Sequence, residues 1–331
     1  MNMKRVWIIV CGMIVIMGCQ SNIYRHSEGG IYGTTYHISY QSDRDYAVEI
    51  RQEMERVNQS LSMFNKNSII SKWNQGVIEQ VDSLFLAMYE MAKVVSAKTE
   101  GAFDVTIAPL VNAWGFGFKN EKMPSPDKID SLMQYVGMDK LQREEDRIVK
   151  LVKGVQLDAS SIAKGQGVDL VADFFDRKGV QNYMIEIGGE VRVKGMSDKY
   201  CPWHIGIDKP IDDAMANNRE LQLVLVLQDG ALATSGNYRR FYVIDGKKYS
   251  HTIDPKTGYP IQQEMLSASV YAPTCMEADA YATAFMVLGI EKSKKVVGEN
   301  PNIEACFIYQ NEQGEQEVWM SERLQTKVLE K

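Results

Sequence analysis

The stretch Ser250-His251-Thr252-Ile253-Asp254-Pro255-Lys256-Thr257-Gly258-Tyr259-Pro260 packs an imidazole, a carboxylate and hydroxyls into a segment braced by two prolines and a glycine. Imidazole exchanges protons near neutral pH, which makes His251 a candidate general base and Asp254 a group that either orients it or shapes its loop. The architectural alternative is a rigid turn in which His251 and Asp254 only cap backbone groups. A second constellation lies downstream. Thr274-Cys275-Met276-Glu277 has the form of a capping box and predicts a helix running to Gly289. Asp279 and Thr283 then stand four apart on one helical face. Hard oxygen donors of this kind suit Mg²⁺, which takes few protein ligands and completes its shell with water and phosphate. The competing reading has Asp279 stabilising the helix N-terminus and Thr283 bonding back to a carbonyl.

Two glycine-bearing segments point to an anionic ligand. Ser160-Ser161-Ile162-Ala163-Lys164-Gly165-Gln166-Gly167 follows the strand-like Val155 to Leu157 and precedes a helix carrying Val168, Val171, Ala172 and Phe175. A strand, a small-residue turn and a helix N-terminus would direct free N–H groups and the helix dipole at a phosphate, with Lys164 adding a point charge. In Ile185-Glu186-Ile187-Gly188-Gly189-Glu190 the glycines mark either a close backbone approach to a nucleotide or a bulge.

The elements that must position these groups are legible from periodicity. Ile50, Met54, Val57, Leu61 and Phe64 recur at alternating steps of four and three, the stripe of a helix with one buried face. A second helix follows Asp82 as N-cap, with Leu84, Met88, Met91 and Val95 on one face and Gly101 past its end. A third, from Ser125 to Gly137, buries Ile129, Leu132, Met133 and Val136. Thr35 to Tyr40 alternates as a strand does, and Leu221 to Leu227, Ser267 to Tyr271 and Ala305 to Tyr309 are rich in β-formers. Arg240 to Ile244 and Lys247 to Ser250 flank Asp245-Gly246, a favoured hairpin turn, which puts His251 where the chain leaves a strand. Helices and strands do not alternate strictly, so the fold class is α+β and not doubly wound.

Composition bounds the function class. A chain of 331 residues, 45% hydrophobic, can bury a large core. Its net charge of −6 argues against a nucleic-acid footprint, because a polyanion binder needs a basic face. No fixed-period repeat or low-complexity tract is present, and Asp208 to Arg219 has the polarity of a surface loop. Lys4 and Arg5 precede an apolar run from Val6 to Met17, then Gly18-Cys19: the layout of an export signal, too short for a confident transmembrane span. Ile16-Met17-Gly18-Cys19 resembles a bacterial lipobox, although Met17 stands where a small residue is more usual. Cys19 is then the lipidated first residue of an exported, membrane-anchored lipoprotein facing the periplasm, with residues 1–18 a signal peptide, 19–29 a short tether and 30–331 the catalytic domain. Cys201, Cys275 and Cys306 are too scattered for a disulfide framework or a zinc cluster and read as buried thiols.

Ala233-Thr234-Ser235-Gly236-Asn237-Tyr238-Arg239-Arg240, followed by His251-Thr252-Ile253-Asp254-Pro255 and Thr257-Gly258-Tyr259-Pro260, resembles the FAD:protein FMN transferases, the ApbE-type flavin-trafficking lipoproteins. Phe103-Asp104-Val105-Thr106, Pro109-Leu110-Val111, Trp114-Gly115-Phe116-Gly117, Ala163-Lys164-Gly165, Val168-Asp169, Ile187-Gly188-Gly189-Glu190 and Glu277-Ala278-Asp279-Ala280 with Ala282-Thr283 follow the same family's order. The resemblance implies a compact two-lobed fold of mixed and antiparallel sheets flanked by helices, with the nucleotide in a cleft between lobes. It implies Mg²⁺ at Asp279, Thr283 and the backbone carbonyl of Ala163. It places nucleotide contacts at Asp104, Lys164, Glu186, Gly188, Gly189, Ser235 and Gly236, and flavin-ring contacts at Tyr32 and Phe64, whose rings could stack on it. Two departures bear on ring orientation: Tyr32 stands where Met often precedes Gly-Thr, and Phe64 where Tyr is frequent. For Phe64 a structural role at the end of its helix stripe is the alternative.

The expected activity is transfer of FMN from FAD to a Thr or Ser hydroxyl of a membrane or periplasmic redox protein, with release of AMP. A metal-dependent FAD pyrophosphatase and a non-catalytic FAD-binding lipoprotein are the rivals. Asp229-Gly230-Ala231-Leu232-Ala233-Thr234 superficially resembles the acceptor motif but is one residue short, so Thr234 is not expected to carry flavin.

Overall fold

The computed structural model describes residues 23–117, 123–210, 220–237, 241–244, 247–262 and 264–330. Cys19 with the whole expected signal, Tyr238 to Arg240, Asp245-Gly246 and most of the expected surface loop before Arg219 lie outside those residues. Among the described residues no helix is long and apolar enough to cross a membrane.

In chain order, β1 (Tyr24–Ile31) and β2 (Thr34–Gln41) precede α1 (Ala47–Leu61), α2 (Ile69–Asn74), α3 (Ser83–Lys98), α4 (Ala108–Ala113) and α5 (Pro126–Met133). A ribbon of β3 (Leu141–Glu144) and β4 (Arg147–Lys150) leads to α6 (Ala163–Arg177), β5 (Tyr183–Ile187), β6 (Glu190–Lys194), β7 (Trp203–Asp208), β8 (Leu221–Leu227) and β9 (Asp229–Gly236). The remainder is β10 (Phe241–Ile244), β11 (Lys247–Ser250), β12 (Met265–Ala272), α7 (Cys275–Leu288), α8 (Ile290–Glu299), β13 (Glu304–Gln310), β14 (Gln316–Met320) and α9 (Glu322–Gln325).

One eight-stranded sheet, ordered β1-β2-β5-β6-β9-β12-β13-β14, carries the fold, and its neighbours pair antiparallel. Over its central strands both faces are covered, whereas the edge strands β1 and β14 are partly exposed. Side chains alternate across a strand, and on β13 Ala305 and Phe307 pack with α3 and α7 residues while Cys306 and Ile308 pack with Trp203, Ile205 and Leu225 of the β7–β8 ribbon. Helices cover one face and a two-stranded ribbon the other, which is the expected α+β class.

The predicted caps are in place. Asp82 accepts a hydrogen bond from the Phe85 amide and Thr274 from Glu277; Ser125, expected only as a helix start, also caps, although its helix ends at Met133 and not at Gly137. Four expectations change. Helix α1 ends at Leu61, so Phe64 falls beyond the stripe and is 72% exposed. Residues 24–29, expected in a tether, form most of β1, because backbone pairing with β2 needs no apolar alternation. Val155 to Leu157 is not a strand. Its strand-like pairing is a single parallel bridge from Gln156 to Ile107, and Asn74 holds the next residue, accepting from the Leu157 amide at 2.8 Å and donating to its carbonyl at 2.9 Å. Cys275 and Cys306 are buried, but Cys201 is only half-buried.

Helix α6 also starts earlier than expected, with Ala163, so Gly165 and Gly167 lie inside it. The reason is close packing. A Cβ on Gly165 would stand 2.4 Å from the Cys275 carbonyl oxygen, and one on Gly167 would stand 2.9 Å from the Tyr32 ring. Tyr32 and Gly33 form the two-residue turn between β1 and β2, both with positive φ as a type I′ turn requires. The Tyr32 ring packs against the two largest apolar clusters, and its hydroxyl donates to the Met54 carbonyl at 2.6 Å.

Gly165→Ala should destabilise the protein by about 1–3 kcal/mol, because the obstructing atoms are backbone and the helices must separate. Urea unfolding checks this: an unchanged midpoint would mean that the close approach of α6 and α7 is not needed.

Candidate functional site

The chemistry-bearing side chains collect where α6 meets α7. Asp279, one turn into α7 and 3% exposed, accepts the Gly165 amide on Oδ2 at 3.0 Å. Lys164 forms an ion pair with Glu190 at the start of β6. Thr283, one turn beyond Asp279, lies with its Oγ1 3.1 Å from Ser235 Oγ at the end of β9, beside Gly236. Ala163, Lys164, Asp279, Thr283, Ser235 and Gly236, proposed from three separate parts of the chain, are thus brought together.

The electrostatics of this cluster are unbalanced. Glu190 and Asp279 bury two carboxyl groups beside one ammonium, and Glu190 Oε2 is buried with no hydrogen-bond partner among the described residues. Burial pushes the Glu190 carboxyl up to about 8, against the pull of Lys164, and Asp279 adds to the rise. Burial works against the Lys164 ammonium, but Asp279 and then Glu190 outweigh it and raise its pKa. Placing excess negative charge in a low-dielectric site is costly unless a proton or a cation joins it. Among the described residues no three His, Cys, Asp or Glu side chains cluster as a metal site. The available donors are one carboxylate, hydroxyls and backbone oxygen, a hard-oxygen set that fits Mg²⁺ better than a transition metal.

The expected free amides at the N-terminus of α6 are largely occupied. The Ala163 amide donates to Ala159 O at 2.8 Å, that of Gly165 to Asp279, and that of Gln166 to Ile162 O at 3.1 Å. The fold therefore supplies positive charge at this point through Lys164 more than through the helix end. Helix α7 is capped as fully. Asp169 of α6 accepts the Cys275 amide at 2.9 Å and the Met276 amide at 2.8 Å, and Arg192 donates to the same carboxylate at 2.7 Å.

Gly188 and Gly189 form a two-residue turn, not a bulge, with Ile187 paired to Glu190 and φ positive at both glycines. The close approach there is to β2, since a Cβ on Gly188 would stand 2.7 Å from Thr34 Cγ2. Glu186 pins the turn by accepting the Gly189 amide at 2.6 Å, and its other oxygen meets His37 Nδ1 at 2.8 Å. The turn delivers Glu190 into the buried cluster. Asp104 is engaged locally, accepting the Thr106 amide at 2.8 Å and the Thr106 hydroxyl at 2.6 Å; burial raises its pKa against those bonds.

His251 directly follows the β10–β11 hairpin, whose register pairs Phe241 with Ser250. The loop after it is closed on itself: Ile253 bridges Pro260, and the Gly258 amide donates to Asp254 O at 2.8 Å. Asp254 Oδ1 accepts the Lys256 amide at 2.8 Å, which is the loop-shaping half of its expected roles. Trp114 fastens the loop to α4, donating its indole N–H to Gly258 O at 2.8 Å, with Ile253 packed among Leu110, Trp114, Ile129 and Val136. Thr234 lies in β9 with Oγ1 2.8 Å from Ser269 Oγ.

Sequence reasoning missed Glu190, Asp169 and the packing duty of Gly165. Glu190 stood in the family-like segment Ile187-Gly188-Gly189-Glu190, and an acidic residue opening the otherwise alternating strand Glu-Val-Arg-Val-Lys was the further signal that it has a role of its own.

Comparison with known proteins bears on the family and the fold. The ApbE family profile matches residues 32–307. The FAD:protein FMN transferases of Vibrio cholerae and Haemophilus influenzae are 37% and 38% identical, over 89% of this chain and 91% of the first and over 87% of this chain and 87% of the second. The flavin transferase ApbE structure from Vibrio cholerae superposes with a TM-score of 0.83 at 35% identity, covering 92% of this chain and 99% of that one. The apo flavinyl transferase ApbE of Pseudomonas stutzeri gives 0.80 at 30% identity, covering 92% and 96%. With sequence and fold matched over nearly the same residues, the chain belongs to the ApbE family.

Proposed function

We propose that this chain is an Mg²⁺-dependent FAD:protein FMN transferase, exported and held at a membrane by lipid on Cys19. The observation that carries the reading is the convergence of Lys164, Asp279, Thr283 and Ser235 at one buried cluster, where two carboxyl groups share one ammonium, in a chain whose relatives bear that activity. The acceptor is a Thr or Ser hydroxyl of a membrane or periplasmic redox protein. In the reaction that oxygen bonds to the FMN phosphorus, the bond from phosphorus to the bridging pyrophosphate oxygen breaks, and AMP leaves with that oxygen.

Catalysis of this kind is mainly positioning and charge stabilisation. Asp279, Thr283 and the Ala163 carbonyl would hold Mg²⁺, which when bound neutralises pyrophosphate charge. The Gly165 amide fixes one Asp279 oxygen and so orients the other. Lys164, kept charged by its carboxylate neighbours, offsets negative charge on the leaving phosphate. His251 takes the acceptor's hydroxyl proton, and the Trp114-anchored loop limits the places its ring can occupy.

The direct test is to incubate the protein with FAD, Mg²⁺ and a Thr-bearing acceptor protein and weigh the acceptor intact. An FMN adduct with stoichiometric AMP is expected. Free FMN without an adduct would make the chain a pyrophosphatase, and FAD returned unchanged would make it a binding protein. Asp279→Ala should lower transfer at least about a hundredfold, the scale for losing a main charge-stabilising contact, with circular dichroism unchanged; normal turnover would remove Asp279 from the site. His251→Ala should slow transfer by roughly two to four orders of magnitude, the range for a general base, with FAD affinity little changed. If that variant fails only because FAD no longer binds, the base role is wrong. Cys19→Ser should move the protein from the membrane to the soluble fraction on cell lysis, and retention at the membrane would refute lipid anchoring.

A further inference from the structure

Helices α6 and α7 exchange carboxylates. Asp279 of α7 accepts a backbone amide of α6, at Gly165, and Asp169 of α6 accepts two backbone amides of α7, at Cys275 and Met276. Cys275 and Asp279 are four residues apart, so the amides held by Asp169 lie one helical turn, about 6 Å of rise, before the carboxylate that faces α6. At the first of these tie points α6 carries no side chain, because the Cys275 carbonyl occupies the volume that a Gly165 Cβ would need. The rotation and axial position of the first turn of α7 are therefore set from α6.

Asp169 is itself held. Arg192 on β6 donates to its Oδ1 at 2.7 Å, and the same guanidinium nitrogen lies 4.0 Å from Asp173 of α6, so the shorter contact is the one to Asp169. β6 also carries Glu190, the partner of Lys164. One strand thus fixes the carboxylate that places Asp279 and pairs with the ammonium beside it.

We propose that Asp169, backed by Arg192, is a positioning residue for the metal site: it holds the first turn of α7 so that Asp279 and Thr283 present their oxygens toward Ala163. The proposal rests on the metal reading given above. Outer partners that orient a ligand without touching the ion change metal affinity by about 10- to 100-fold when removed. A residue that only stabilised the fold would lower the melting temperature and leave metal affinity in the folded protein unchanged.

The test compares wild type, Asp169→Asn and Arg192→Gln well below their melting temperatures. Calorimetric titration of the metal-free proteins with Mg²⁺ gives the dissociation constant, and FMN transfer across Mg²⁺ concentrations gives the half-maximal requirement. Asp169→Asn should raise both by about 10- to 100-fold, with most of kcat recovered at saturating Mg²⁺; Arg192→Gln should move both the same way by less. If Asp169→Asn does not fold, Arg192→Gln carries the test alone. Folded variants with wild-type Mg²⁺ affinity and requirement would overturn the role of Asp169 while leaving the metal reading intact. A wild-type protein that neither binds nor requires Mg²⁺ would overturn both.

Discussion

The contact between Gly165 and the Cys275 carbonyl is the constraint on which the rest depends. Two helices whose backbones approach this closely cannot keep a side chain between them, and the space gained brings an amide of one helix within reach of a carboxylate of the other. Asp279 becomes buried without becoming unpaired, Lys164 is drawn against Glu190, and Thr283 reaches Ser235 across the sheet. The two largest apolar clusters also meet at this crossing, with Tyr32 packed against both. Core packing and site assembly are here the same event.

Charge explains why the arrangement invites a ligand. Two buried carboxyl groups around one ammonium are not a closed ion pair, and an unpartnered Glu190 oxygen lies buried among them. Such a site is stabilised by a cation or a proton, whereas Lys164 presents the opposite charge needed beside a phosphate. The second candidate group, His251, depends on a separate device. Its loop hangs from α4 and α5 through the Trp114 indole and a small cluster around Ile253, and Gly258 sits so close to Ile129 that a Cβ would come within 2.6 Å.

What was legible in the sequence follows from how local the cause is. The caps at Asp82 and Thr274 and the four-residue step from Asp279 to Thr283 are encoded within a few positions, and the structure has them as read. The ordered motifs identified the family. Phe64 misled because a stripe can outlast its helix, and Val155 to Leu157 because a β-rich run can be held by one bridge and an asparagine side chain instead of a ladder. The start of α6 was misread because its glycines looked like a turn, when their purpose lies in partners far away: Asp279, 114 residues distant, and Tyr32. Asp169 and Glu190 stood in family-like segments, but what they hold could not be read there: the two amide partners of Asp169 are 106 and 107 residues on, and Glu190 acquires meaning only beside Lys164.

The central claim is that the α6–α7 crossing builds the catalytic centre of a transferase. A crystal structure of the protein soaked with FAD and Mn²⁺, with anomalous scattering locating the metal, tests it most directly. The account predicts the ion within bonding distance of Asp279 Oδ1, Thr283 Oγ1 and the Ala163 carbonyl oxygen, with the FAD pyrophosphate beside Lys164. A metal bound elsewhere, or a pyrophosphate that makes no approach to α6 and α7, would contradict it.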